Sequence, residues 1–231
     1  MGIILNIETA TKWCSVALSK DGIEVIQKEA FDDAYIHSEK LHLFIDEILT
    51  VSGISYQELS AVAVSAGPGS YTGLRIGVAT AKGICAGLDI PLITIDTLQA
   101  LTFQATDKLK DQNKVISDAI FYPMIDARRM EVFYAVYDEN KKQIAPLFNM
   151  IFDEELTIEY PEFYFFGDGA FKGKEILEKI GGTIIDDVYC SASNLVELAY
   201  QKFKSNEFAS LMNFEPNYGK EFLAGKAKKI F

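Results

Sequence analysis

The stretch SAGPGSYTGLRIG at residues 65–77 follows an apolar run and leads into a helix of small residues. A glycine loop between a strand and a helix is where many proteins hold phosphate. A Walker A loop has the pattern Gly-x4-Gly-Lys-Ser/Thr, in which the lysine reaches the terminal phosphates. Here five residues separate Gly67 from Gly73, and Leu74 stands where the lysine is required. The spacing therefore excludes a Walker A phosphate loop.

Two other glycine motifs are also incomplete in this stretch. The dinucleotide fingerprint G-x-G-x-x-G would place its third glycine at Thr72. Tyr71 occupies the centre of GSYTG, where a nucleophile elbow has serine. The N-terminus of the following helix attracts anions in general, but we interpret the stretch as a tight strand-to-helix connection. Four residues are predicted to shape it: Gly67, Pro68, Gly69 and Ser70.

No catalytic or metal-binding set is evident elsewhere in the sequence. His37 and His42 are the only histidines, and five positions apart on a helix they point about 140° away from each other. The three cysteines are scattered without CxxC spacing, which is typical of a reducing compartment. Ser70, Thr72 and Cys14 are nucleophilic in type, yet neither histidine is obviously placed to activate them. We therefore predict no catalytic residue and no metal.

Hydrophobic periodicity places these residues on alternating strands and helices. The first half predicts an antiparallel meander, an amphipathic helix and then alternating strands and helices. Strands are predicted at 3–8, 13–22, 23–31, 59–65 and 90–95. Helices are predicted at 35–52 and 72–86, with a third that begins at Asp96 or Thr97 and ends near residue 108.

The second half repeats this order. IETATKWCSVAL at 7–18 aligns with IDARRMEVFYAV at 125–136 at a constant offset of 118 residues, which pairs Glu8 with Asp126. Further strands and helices are predicted at 119–126, 130–138, 162–167, 171–180 and 191–203. We predict an α/β protein of two tandem lobes, each a mixed sheet that opens with an antiparallel meander and is flanked by helices. The predicted divisions are 1–108, 109–205 and a tail at 206–231.

Composition limits the classes of function. The chain carries 22 basic and 33 acidic residues, which give a net charge of -11. A negatively charged protein is poorly suited to bind a nucleic-acid backbone without a partner. The basic tail EPNYGKEFLAGKAKKIF (215–231) is interpreted as a solvated terminus, with contact to an acidic partner or RNA as the alternative. The sequence shows no signal-peptide pattern and no apolar run near the ~20 residues of a membrane span. We expect a cytoplasmic protein without a membrane partner.

The helix after the glycine loop is rich in small residues on one face. Interior glycines cost ~1 kcal/mol each relative to alanine, so close approach of another backbone should offset that cost. Two explanations remain open: packing against the protein's own sheet, or a helix contact with another subunit that also uses the helix at 35–52. The residues predicted for such a contact are His37, Leu41, Phe44, Ile45, Thr72, Gly73, Ile76, Gly77, Thr80, Ala81 and Ile84.

Three segments together resemble the bacterial TsaB (YeaZ) family: ILNIETATKWCSVALS, HSEKLHLFIDEIL, and AVAVSAGPGSYTGLRIGVATAKGICAGLDIPLITIDTL. The GPGSYTGLRIG block is similar to the family's hallmark. The resemblance implies two RNase H-like lobes of the kind found in actin-like, Hsp70-like and sugar-kinase-like ATPases. It also implies a non-catalytic subunit needed to make N6-threonylcarbamoyladenosine at adenosine 37 of tRNAs reading ANN codons.

The same resemblance implies partners. The catalytic subunit would be TsaD, whose metal-binding H-x-x-x-H motif is missing from this sequence, and an ATPase, TsaE, would drive turnover. The family's contact with TsaD, and its homodimer, use the two helices of the first lobe, and tRNA is expected mainly through the complex. No tightly bound cofactor is expected, whereas the wider complex uses ATP and magnesium. After Pro216-x-Tyr218, Gly219-Lys220 depart from the apolar residue and arginine usual in the family.

Two alternatives remain at this point. One is a nucleotide-binding or nucleotide-hydrolysing protein that uses the cleft between the lobes. Its candidate residues are Glu8, Thr9, Thr11, Asp126, Gly167, Asp168 and Gly169, since an acidic residue followed by small hydroxyl residues in a turn can present backbone N–H groups to phosphate. The other is a protease acting on its partner, for which the sequence offers no nucleophile–base pair.

Overall fold

The computed structural model describes residues 2–32, 36–152 and 162–219. Within these ranges, ten strands form two sheets, and six α-helices pack on them. The strands are β1 (Ile3–Glu8), β2 (Trp13–Lys20), β3 (Ile23–Phe31), β4 (Ala61–Ser65), β5 (Leu92–Ile95), β6 (Ile120–Asp126), β7 (Glu131–Tyr137), β8 (Gln143–Ile151), β9 (Phe163–Phe166) and β10 (Thr183–Ile184). The helices are α1 (His37–Ser52), α2 (Tyr71–Leu88), α3 (Thr97–Asp111), α4 (Asp168–Lys172), α5 (Lys174–Lys179) and α6 (Val196–Ser205).

The first sheet has the strand order β3-β2-β1-β4-β5. β1 pairs antiparallel with β2 and parallel with β4, which in turn pairs parallel with β5. Every residue of β1 and β4 is buried, because helices cover both faces of the central parallel strands. Asp21 and Gly22 join β2 to β3 with left-handed backbone at both positions, as a two-residue hairpin turn requires.

The second sheet has the same topology as the first. Its order, β8-β7-β6-β9-β10, again places an antiparallel meander beside two parallel strands. β2 begins at Trp13 and β7 at Glu131, which reproduces the offset of 118 residues found in the sequence. The predicted two-lobed α/β fold is confirmed.

Two helices pack against the sheet of the other lobe. Leu98 and Leu101 of α3 belong to the same apolar cluster as Phe121 of the second sheet. Conversely, Leu198 of α6 packs in the cluster that contains Ile4 of the first sheet. The packing therefore crosses the predicted division at residue 108 in both directions.

The C-terminal segment, residues 206–219, packs against the first lobe. The Ala209 N–H donates to the Leu92 carbonyl at 2.8 Å, and Phe214 packs against the first core. The Lys82 ammonium donates to the Phe214 carbonyl at 2.7 Å. Within the predicted solvated stretch, 215–231, the Asn217 N–H donates to the Ala66 carbonyl at 2.8 Å, so the prediction is wrong for its described part, residues 215–219. The lysines on which the charge argument rested lie outside the described residues: Lys220, Lys226, Lys228 and Lys229.

Three elements differ from the prediction in local detail. The helix predicted at 171–180 forms as α4 and α5, separated at Gly173, where a Cβ would lie 2.3 Å from the Phe152 ring. β8 and β10 were not predicted, and both are edge strands with exposed residues. The helix predicted at 191–203 begins as a 3-10 turn before α6. None of the described helices combines the length and apolarity needed to cross a membrane.

Because α6 completes the core over the first sheet, we expect Leu198→Ala to lower the free energy of unfolding. Leu198 is 4% exposed, and leucine-to-alanine changes in cores cost about 2–5 kcal/mol. The exposed neighbour Glu197 provides the matched control, and Glu197→Ala should stay within about 0.5 kcal/mol of the parent chain. Urea unfolding followed by circular dichroism measures both; equal stabilities of the two variants would contradict this packing.

Candidate functional site

An acidic residue ends the first strand of each lobe and closes the following turn. The Glu8 carboxylate accepts a hydrogen bond from the Ala10 N–H at 2.6 Å. The Asp126 carboxylate accepts one from the Arg128 N–H at 2.7 Å, also two residues further along the chain. Both carboxylates are therefore occupied by their own turns. The described residues contain no group of three or more His, Cys, Asp or Glu side chains that could hold a metal ion.

Glu8 is almost completely enclosed. Its exposed fraction is 1%, and its burial raises the pKa of the carboxyl to about 7. Hydrogen bonds from the Ala10 backbone and the Ser65 side chain oppose that shift without cancelling it. Burial raises the pKa because water no longer stabilises the charged form. Glu8 is consequently a turn-forming group inside the protein and does not face an open cleft.

The glycine loop lies directly on the β1–β2 turn. A Cβ on Gly69 would lie 2.4 Å from the Ala10 carbonyl oxygen, and one on Gly73 would lie 2.1 Å from that of Thr9. The Ser70 N–H donates to the Ala10 carbonyl at 2.6 Å. Carbonyl oxygens of the chain itself thus occupy the space in front of the loop where a phosphate would have to lie.

The C-terminal segment holds the other side of the loop. The Asn217 N–H donates to the Ala66 carbonyl at 2.8 Å, and Gly67 adopts φ +94°, with the Asn217 carbonyl 2.0 Å from where its Cβ would be. The Arg75 guanidinium lies 4.3 Å from the Tyr71 ring centre, and its Nε donates to the Tyr218 hydroxyl at 3.3 Å. The loop and the start of α2 are therefore fixed by contacts from both ends of the chain.

The second lobe contributes the remaining cleft candidates. The Asp168 carboxylate accepts a hydrogen bond from the Asp126 N–H at 3.0 Å, and the Lys172 ammonium forms an ion pair with Asp126 at 2.5 Å. Gly167 and Gly169 allow α4 to approach β6, because a Cβ on either would lie within 3 Å of a β6 backbone atom. The structure therefore brings Asp126, Asp168 and both glycines together within this lobe.

The Cys190 thiol interacts with candidate residues of both lobes. The thiol is near Thr11, Glu8 and Asp168, and burial raises the pKa of the thiol well above its usual range, with the two carboxyl groups adding to the shift. The side chain is only 4% exposed. Burial and the two carboxyl groups therefore disfavour the thiolate form of Cys190.

The predicted contact face on α1 and α2 is only partly accessible. Seven of its residues are buried within the chain, so the prediction that they form a contact surface is wrong: His37, Leu41, Phe44, Ile45, Gly73, Gly77 and Ala81. Gly77 explains why, since a Cβ there would lie 2.2 Å from the Thr9 hydroxyl. Of the other four, Thr72 is exposed, and Ile76, Thr80 and Ile84 are half-buried.

A different face of α2 is exposed. It consists of Ala79, Gly83, Ala86 and Gly87, which we call the outer face of α2. A Cβ on Gly83 or Gly87 would meet nothing within 4 Å. The adjacent helix α1 exposes Leu43 and Val51, with exposed fractions of 58% and 67%. These four residues have the spacing i, i+4, i+7 and i+8, which places them on one side of a helix. Assigning the larger apolar residues of α2 to the core would have shown from the sequence that this side is exposed.

The duplicated topology defines a protein of two similar α/β lobes, in which an acidic residue closes the turn after the first strand of each lobe. A solved structure from Pseudomonas aeruginosa, described as similar to the peptidase YeaZ, superposes with a TM-score of 0.77 at 21% identity, covering 95% of this chain and 100% of that one. The family model for TsaD, tRNA N6-adenosine threonylcarbamoyltransferase, matches residues 33–218.

Sequence relatives define the family more closely. The Escherichia coli tRNA threonylcarbamoyladenosine biosynthesis protein TsaB is 30% identical over 238 aligned residues, which cover 96% of both chains. The Bacillus subtilis TsaB protein is 27% identical, over 78% of this chain and 77% of its own. The chain belongs to the TsaB (YeaZ) family, as the resemblance predicted.

The raised pKa of Glu8 predicts a pH-dependent stability. The folded protein holds the Glu8 proton up to about pH 7, whereas the unfolded chain releases it near pH 4.5. Stability from this group is complete below pH 4.5 and is lost as the pH rises to 7, by roughly 3 kcal/mol. In Glu8→Gln the amide oxygen can still accept from Ala10, and stability relative to the parent should rise between pH 5 and pH 8. Urea unfolding at a series of pH values measures the free energy of unfolding of both proteins. A difference between them that stays constant from pH 5 to pH 8 would contradict the raised pKa of Glu8.

The two kinds of glycine on α2 predict opposite effects of the same substitution. Gly83→Ala should raise the free energy of unfolding by ~1 kcal/mol, because the methyl group enters open space and alanine favours the helix. Gly77→Ala should lower it by about 1–3 kcal/mol, because the methyl group overlaps Thr9. Thermal unfolding of both variants measures the contrast, and a stabilised Gly77→Ala protein would refute the packing described for Thr9.

Proposed function

We propose that this chain is a non-catalytic subunit for the threonylcarbamoylation of adenosine 37 in tRNAs reading ANN codons, acting by binding a TsaD-type catalytic subunit. The names of its relatives support the pathway. The observation that carries the subunit role is that both candidate carboxylates and the glycine loop are occupied by the chain's own backbone. Those groups are not free for chemistry.

The outer face of α2, with the neighbouring exposed part of α1, is the surface proposed for the partner. A row of alanine and glycine lets a second helix approach closely. α2 carries Arg75 and Lys82 and no acidic residue, whereas α1 carries Glu39, Asp46 and Glu47 with one lysine. Because α1 is mainly acidic and α2 is basic, these charges favour a partner with a similar helix pair, docked so that each helix faces the oppositely charged helix of the partner.

The match to the TsaD model supports such a partner. The matched region, 33–218, includes both helices, so a TsaD-type protein would present related helices. The same geometry would allow a second copy of this chain to dock when the partner is missing. A TsaE-type ATPase that uses ATP and magnesium, and tRNA held mainly by the complex, complete the proposed cytoplasmic assembly.

Mixing the chain with its TsaD-type partner should give a stable heterodimer that Gly83→Arg weakens by at least about tenfold. The reason is that a long charged side chain would enter a close helix contact. Gln201→Arg, on the exposed surface of α6, is the matched control and should leave the affinity unchanged. Analytical ultracentrifugation gives both dissociation constants. A heterodimer indifferent to Gly83→Arg would remove the proposed surface.

The nucleotide alternative is tested on the isolated chain. Calorimetric titration with magnesium-ATP should show no micromolar binding, because the chain's own carbonyl oxygens occupy the space in front of the glycine loop. Micromolar binding that Thr9→Ala or Gly69→Ala abolishes would favour a nucleotide protein over a subunit.

A further inference from the structure

The turn between β6 and β7 exposes two adjacent arginines. Arg128 and Arg129 follow Asp126 and are both exposed to solvent. In the part of the chain that the structure describes, no hydrogen bond or ion pair engages either guanidinium group. The neighbouring acidic residue Asp126 is already occupied, since it accepts from the Arg128 backbone and pairs with Lys172. The two positive charges are therefore directed to solvent.

Arginine is rare in this chain. Of its 22 basic residues, only Arg75, Arg128 and Arg129 are arginine, and the other 19 are lysine. Arg75 stacks on Tyr71, for which a planar guanidinium is suited. A protein that otherwise uses lysine has two adjacent arginines at one exposed turn. A fork of N–H donors suits phosphate better than a single ammonium does.

The backbone of the turn is unfavourable for arginine. Arg128 and Arg129 have φ angles of +72° and +51°, both in the left-handed region. Glycine and asparagine adopt this region most readily, because a longer side chain makes the conformation costly. The sequence thus keeps two long cationic side chains where a shorter pair would be more stable, which points to a function for them.

The equivalent turn of the first lobe shows the contrast. The offset of 118 residues aligns Arg128 and Arg129 with Ala10 and Thr11. Those two residues are 1% and 6% exposed, and the glycine loop packs on Ala10. The two turns share an acidic residue whose carboxylate accepts from the N–H two residues further along. Ala10 and Thr11 lack the left-handed φ of the two arginines, and only the second turn presents side chains to solvent.

We propose that Arg128 and Arg129 bind phosphate groups of an RNA backbone, and that the RNA is the tRNA of the proposed function, on which this identification rests. An exposed turn suits an extended backbone better than a free nucleotide, which needs walls around its base and ribose. With a net charge of -11, the chain adds a local contact to RNA that its partner mainly holds.

The test measures tRNA affinity of the reconstituted heterodimer by fluorescence anisotropy over a series of salt concentrations. The variant Arg128→Gln/Arg129→Gln should bind on the order of tenfold more weakly, and its salt slope should fall by about 2. Lys142→Gln, which removes an exposed cation from the turn between β7 and β8, is the control and should change neither value. An affinity and slope equal to those of the parent complex would overturn the proposal.

A second variant separates binding from folding. Arg128→Asn/Arg129→Gly installs the residues that the turn prefers, so it should raise the melting temperature while it weakens tRNA binding. A variant that is stabilised and binds tRNA normally would overturn the proposal. Magnesium-ATP and inorganic tripolyphosphate are titrated in parallel, and arginine-dependent binding of these alone would assign the site to free phosphates instead.

Failure of the proposed function is recognised separately. If the parent chain forms no heterodimer, the proposed subunit role fails. The RNA affinities of the parent and the arginine variants are then compared on the isolated chain at low salt. Arginine-dependent RNA binding there would still support the site, and its absence would remove it.

Discussion

The close contact between the β1–β2 turn and the start of α2 determines how the rest of the first lobe is arranged. Carbonyl oxygens of Thr9 and Ala10 lie where side chains at Gly73 and Gly69 would otherwise be. Only glycine permits that approach, so the loop sequence follows from the packing. Once the inner face of α2 is used in this way, its remaining small residues face outward. The same contact thus removes a phosphate site and leaves a flat helix surface.

The two lobes share one backbone plan and use its first turn differently. Glu8 and Asp126 close equivalent turns, but Glu8 is enclosed beneath the glycine loop, while the residues after Asp126 remain exposed. Duplication supplies two copies of this turn. In this chain one copy has become part of the core, and the other carries two of the three arginines.

The sequence predicted those parts of the structure that depend on local pattern. Asp21-Gly22 indicated its hairpin, and the alignment of Glu8 with Asp126 indicated two similar sheets. Which face of α2 packs inward was harder to predict from the sequence. Gly77 and Gly83 are the same residue type, and only the position of Thr9 in the folded protein distinguishes them. The packing of the C-terminal segment depends on contacts such as that of Tyr218 with Arg75, which are distant in sequence. The strand β8 was missed because an exposed edge strand with Pro146 lacks a clear apolar pattern.

Hydrogen–deuterium exchange followed by mass spectrometry reports on the glycine loop and the outer face of α2 in one experiment. With the TsaD-type partner present, amides in residues 79–87 should gain protection. With magnesium-ATP alone, residues 65–77 should exchange as in the free chain. Protection of residues 65–77 by magnesium-ATP, with residues 79–87 unchanged by the partner, would show that the glycine loop is the binding site and that the outer face of α2 is not.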